Sequence, residues 1–123
     1  QSIHQLGAYR VQGRGEHEGE RILKDAVGLQ KAGAQMLVLE CVPALLAAEI
    51  TRALDIPVIG IGAGVDVDGQ VLVLHDMLGI TMHGTPSFVR DFLAEEGTVA
   101  AALSAYVHAV RAETFPAEEH TFK

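Results

Sequence analysis

Two short apolar runs constrain this chain most. Met36–Leu39 is followed by a carboxylate, Glu40, and Ile56–Ile61 runs into the glycines Gly60, Gly62 and Gly64. Between them Pro43 stands near the first position of a helix over Ala44–Leu54, with Leu45, Leu46, Ile50 and Leu54 as its apolar face. Strand, helix and strand at this spacing form a βαβ unit, parallel and right-handed. Continuous apolar runs are what strands buried on both faces need. Ligand sites in parallel α/β sheets form at the carboxyl edge. Glu40 and the glycine cluster are therefore expected side by side in one site, although 20 residues separate Glu40 from Gly60.

The flanking sequence sets the scale. Gln1–Gly15 reads as a loop, with Arg10 and Arg14 set among its glycines. Glu16–Ala32 reads as an amphipathic helix with Ile22, Leu23, Ala26, Val27 and Leu29 mostly on one face, and Gly33 suits its C′ position. Gln70–Leu78 is expected to be a short helix ending before Gly79, because a parallel strand cannot follow its neighbour after only about six loop residues. Ile80–His83 is expected to be a brief strand. A helix is expected from Pro86 through Ala94, another capped by Thr98 through about Ala112, and a tail over Phe115–Lys123. Two or three buried strands make a poor sheet, and a complete (β/α)8 barrel takes about 250 residues. The 123 residues here read as one domain that is half of such a barrel.

Composition removes several function classes. No apolar run reaches the ~18 residues that span a bilayer, so no membrane partner is expected. The formal charge of −7 and the absence of Trp argue against nucleic acid. A single cysteine, Cys41, excludes an internal disulfide and fits a reducing, cytoplasmic compartment. The start is polar rather than signal-like, and the lack of an initial Met suggests a piece of a longer chain.

The candidate chemistry centres on Glu40. It is either a carboxylate meeting solvent where a strand ends, or a general base in a cleft, where apolar surroundings make a carboxylate a better base near neutral pH. Strand alternation should point Cys41 away from the Glu40 face, which favours a buried structural cysteine over a nucleophile. Gly60, Gly62 and Gly64 share one parity; facing the barrel interior they would leave room for a ligand against bare backbone, and otherwise they serve close packing and a turn. Val65 stands where a dinucleotide fingerprint needs its third glycine. Asp66-Val67-Asp68-Gly69 resembles part of a calcium loop, but its twelfth position falls on His75. The histidines show no ligand spacing. His75-Asp76 reads as a structural polar pair on a helix near the site, and Arg10 and Arg14 either touch an anion or are surface residues.

The motifs Tyr9-Arg10-Val11-Gln12-Gly13-Arg14-Gly15, Leu37-Val38-Leu39-Glu40-Cys41-Val42-Pro43, Ile59-Gly60-Ile61-Gly62-Ala63-Gly64 and Asp68 to Asp76, with the ending Phe115 to His120, together resemble the ketopantoate hydroxymethyltransferase family. The resemblance spans essentially this whole chain and the C-terminal half of the family's length. It implies an α/β fold, a (β/α)8 TIM barrel of the phosphoenolpyruvate/pyruvate type, with residues 1–123 as its C-terminal half and a helical extension from about 86. It implies transfer of a one-carbon unit from 5,10-methylenetetrahydrofolate to 3-methyl-2-oxobutanoate, giving 2-dehydropantoate in pantothenate synthesis. Glu40 would be the proton acceptor, and Gly60, Gly62 and Gly64 would line the substrate on the parity argument. Mg²⁺ is implied, with ligands expected in the other half of the barrel and no metal ligand in this chain. The implied partners are the 2-oxo acid, the folate, the N-terminal half of the barrel and further copies of the protein, often as a decamer. The isolated chain is expected to be inactive. The alternatives are another 2-oxo acid lyase or aldolase of the same barrel superfamily, or a non-catalytic α/β assembly domain.

Overall fold

A computed structural model describes residues 10–82 and 84–123. Most of the expected N-terminal loop, residues 1–9, and His83 of the expected strand at Ile80–His83 lie outside the described residues. Helix α1 (Glu16–Lys31) leads through Gly33, at φ +101°, into strand β1 (Leu37–Glu40). Helix α2 (Ala44–Ala53) returns the chain to strand β2 (Val58–Ile61). The two strands pair in parallel with Leu37 beside Val58 and Glu40 beside Ile61, which is the expected βαβ unit.

One face of this pair is built by the helices. Leu39 and Val58 pack with Ala26 of α1 and with Ala47 and Ile50 of α2, and Ile50 and Val58 are fully buried. Burying an Ile or Val side chain stabilises by roughly 1.5–3 kcal/mol, so these contacts hold both helices on the sheet. Gln30 ties the layers further. Its Oε1 accepts the backbone N–H of Asp55 at 2.7 Å and of Ile56 at 3.2 Å, fixing the turn into β2. Leu45, expected on the buried face of α2, is 87% exposed, because Ala47, Ala48 and Ile50 carry the contact instead. The other face is open: Val38, on the Glu40 side of β1, is 56% exposed, whereas a strand buried on both faces was expected.

A third strand corrects the reading of the segment after β2. Strand β3 (Gly69–Gln70) pairs in parallel with β2, Gly69 beside Ile59, and a single helical turn α3 (Leu74–Met77) follows. No long crossover is needed because β3 is two residues long and the chain steps back only two strand positions, about 7 Å. Asp68 clips the return: its Oδ2 accepts the Val58 N–H at 2.8 Å, and its own N–H donates to the Val58 carbonyl at 3.0 Å. The carboxylate that resembled a calcium ligand is thus engaged with backbone.

Of the remaining helices, one begins later than expected. Residues 80–82 form no strand, and Pro86 opens a turn closed by the Val89 N–H. Helix α4 (Phe92–Glu96) starts only after Asp91, whose Oδ1 caps the Ala94 N–H at 3.0 Å. Thr98 caps helix α5 (Val99–Arg111) as expected. The segment expected to be a tail is docked. Phe115 is buried edge-on against Phe92 and Tyr106, and Phe122 packs edge-on against Phe88.

Candidate active site

Strand parity separates the sheet's two faces. Leu37, Leu39, Val58 and Gly60 share the helix side, while Val38, Glu40, Ile59 and Ile61 share the open side. At the carboxyl edge, Glu40 and Ile61 line a cleft of about 580 Å³ with Val73, Asp76, Ile80, Thr81 and Phe88. The register therefore sets Glu40 next to the end of β2, as the two apolar runs suggested.

The room expected at the glycines is filled with protein. Gly60 lies on the helix-side parity, and a Cβ there would meet Val67 at 3.0 Å. A Cβ on Gly62 would stand 2.9 Å from the Phe88 ring, and one on Gly64 would stand 2.5 Å from the Ala44 Cβ. None of the three reaches the cleft. Their lack of a side chain lets Phe88 and the start of α2 approach the sheet edge.

Cys41 breaks the alternation that was expected of it. Its φ is +54°, and it joins Phe88, Met77 and Phe115 rather than Leu39 and the α1–α2 cluster. Burial, and secondarily the neighbouring Glu40 charge, push its thiol up to about 11, so it is protonated and inert at neutral pH. Tyr106 is likewise pushed up by burial.

The polar pair at His75-Asp76 takes a different form. His75 is exposed at the cleft, whereas Asp76 is buried and accepts a hydrogen bond from the Thr81 hydroxyl. That bond spans the turn through Gly79, at φ +65°, and holds Ile80 and Thr81 along the cleft. Thr81 and Phe88 carried no spacing signal in the sequence; only the fold brings them to Glu40. Arg10 and Arg14 part company: Arg10 borders a second cavity next to the cleft, and Arg14 a third one beside α1.

Among the described residues no group of three or more His, Cys, Asp or Glu side chains is placed to hold a metal ion. No described helix is long and apolar enough to cross a membrane.

A family model described as ketopantoate hydroxymethyltransferase matches residues 1–118. The chain is 58% identical over 123 residues to a 3-methyl-2-oxobutanoate hydroxymethyltransferase of Marinobacter nauticus, covering 100% of this chain and 47% of that protein. Proteins of the same name from Stutzerimonas stutzeri and Edwardsiella ictaluri are 58% and 57% identical, each over 99% of this chain and 46% of their own length. The chain thus spans about half the length of these curated relatives.

Proposed function

The chain belongs to the ketopantoate hydroxymethyltransferase family, and from that premise we propose that it supplies the proton-accepting half of a one-carbon transfer site. The observation that carries the reading is Glu40 at the carboxyl end of β1, on the open face of the sheet, in a cleft whose other described walls are mostly apolar.

In this reading the Glu40 carboxylate takes the proton from the carbon next to the carbonyl of 3-methyl-2-oxobutanoate. The C–H electron pair becomes an enolate, whose carbon bonds to the one-carbon unit of 5,10-methylenetetrahydrofolate. Both carbon–nitrogen bonds of the methylene bridge break in turn. Water supplies the hydroxyl of the product, and the two folate nitrogens take up the proton held on Glu40 and the proton released by that water. Ile61, Val73, Ile80 and Phe88 give the branched alkyl group of the substrate a dry wall. The described residues do not fit a metal site by themselves, so no step is assigned to Mg²⁺ on this chain.

The other half of the barrel is the partner this reading requires, and assembly into a larger homo-oligomer goes with it. A chimera tests the proposal: this chain replaces the matching 123-residue stretch of the Marinobacter nauticus relative. Given the 2-oxo acid, the folate donor and Mg²⁺, the chimera should release the hydroxymethylated 2-oxo acid, and this chain alone should not. Glu40→Gln should lower kcat by about 10²–10⁴-fold while leaving the melting temperature nearly unchanged. A Glu40→Gln chimera that turns over at the parent rate refutes the assignment.

A further inference from the structure

Resting on the folate-dependent reading above, we infer that a second cavity beside the Glu40 cleft holds the anionic glutamate tail of the one-carbon donor, with Arg10 as its carboxylate partner. This cavity, of about 410 Å³, is bordered by Arg10, Cys41, Thr85, Ser87, Phe88 and Phe122. It shares Gly84, Pro86 and Phe88 with the cleft, so the two adjoin. Consecutive residues serve the two sides: Glu40 lines the cleft and Cys41 the second cavity. A transfer between two substrates needs two adjoining compartments, and this pair adjoins the proton acceptor.

The lining matches an arylamide that ends in carboxylates. Phe88 and Phe122, packed edge-on at 6.1 Å between ring centres, give this cavity an aromatic border. The Arg10 guanidinium, with the hydroxyls of Thr85 and Ser87, offers donors that suit a carboxylate. A chain of formal charge −7 repels an anionic substrate at long range, so a local guanidinium is what draws one in. No acidic residue is among the described residues lining this cavity. Arg14 is the contrast, because its cavity also contains Glu20 and Glu49, which neutralise it as an anion site. Neither ion pair among the described residues involves Arg10. The Arg10 segment is fixed to the site by backbone: the Gln12 N–H donates to the Cys41 carbonyl at 2.8 Å, and Gln12 Nε2 donates to the Arg10 carbonyl at 3.1 Å.

The 2-oxo acid also carries a carboxylate, and the experiment separates the two sources. In the chimera, Arg10→Gln is assayed with each substrate varied in turn. The Michaelis constant for the folate donor should rise about tenfold or more, that for the 2-oxo acid should hold, and Arg10→Lys should recover part of the loss. Calorimetry on the unmutated chimera with tetrahydrofolate and with tetrahydropteroate, which lacks the glutamate, reads the tail without turnover and without a variant that must fold. Tetrahydrofolate should bind about tenfold or more tightly. Equal binding of the two, or a rise confined to the 2-oxo acid constant in Arg10→Gln, overturns the inference. An unmutated chimera that prefers tetrahydrofolate yet makes no product leaves the tail site standing and removes the reaction assigned above.

Discussion

Gly64→Ala tests whether the glycines at the end of β2 serve packing or substrate. Gly64 has φ +80°, where a side chain costs roughly 1–2 kcal/mol. Its added Cβ would stand 2.5 Å from the Ala44 Cβ and 3.1 Å from the Ala44 Cα. Carbon atoms rest at about 3.5–4.0 Å, so the start of α2 has to move by roughly 1 Å or the contact stays compressed. Overpacking of this kind costs about 1–3 kcal/mol, giving about 2–5 kcal/mol in all. For a chain of 123 residues, 1 kcal/mol lowers the melting temperature by about 4 °C, so the expected loss is about 8–20 °C. Circular dichroism melting of the chain and of its Ala44→Gly/Gly64→Ala double variant measures this. The double variant relieves the contact and should recover the overpacking part, leaving the backbone part. A Gly64→Ala protein that melts within about 2 °C of the parent refutes the reasoning. If its chimera also shows a raised Michaelis constant for the 2-oxo acid, Gly64 borders the substrate after all.

Two further outcomes follow from the cores. Phe92 is 1% exposed and meets Phe115 and Tyr106 edge-on at 5.5 and 5.6 Å between ring centres. Phe92→Ala should cost about 3–5 kcal/mol in urea unfolding, and a loss below about 1 kcal/mol would show that α4 and α5 are not held through this ring. The Cys41 thiol sits at about 11, above its ordinary 9.0, so the folded state favours the protonated form. That contribution to stability is complete below pH 9 and is lost as pH climbs through about 11. At pH 8 a thiol reagent should label native Cys41 about a hundredfold more slowly than the unfolded chain, and equal rates would place the thiol in solvent.

The sequence exposed the scaffold more clearly than the cleft. The β1–α2–β2 unit was legible because its signals are local: apolar runs of strand length, a proline at a helix start, a glycine after a helix end. The Glu40–Ile61 juxtaposition follows from that unit, since a parallel register leaves little freedom once the strands are set. Strand β3 was hidden because two residues clipped by Asp68 carry no periodicity. The start of α4 was misplaced because Pro86 suits a turn as well as a helix, and the decisive cap is the Asp91 side chain. The glycine parity stayed open because nothing in the run Ile59–Gly64 tells which face meets the helices; Val58 shows the helix side only by packing on Ile50. Thr81 and Phe88 reach the cleft through long-range folding, which no local pattern encodes.

The open face of β1 has a consequence for handling the protein. Val38 and Met36 are each 56% exposed, Ile80 56% and Met82 90%, and among the described residues β1 is paired along one edge only. A bare parallel edge beside exposed apolar side chains is a template for self-association. The same open face that carries Glu40 thus makes the chain sticky. Light scattering per unit mass should rise with concentration for this chain by itself, and a flat response would show that the edge is not a template. Colloidal behaviour becomes a direct gauge of whether this edge stays bare.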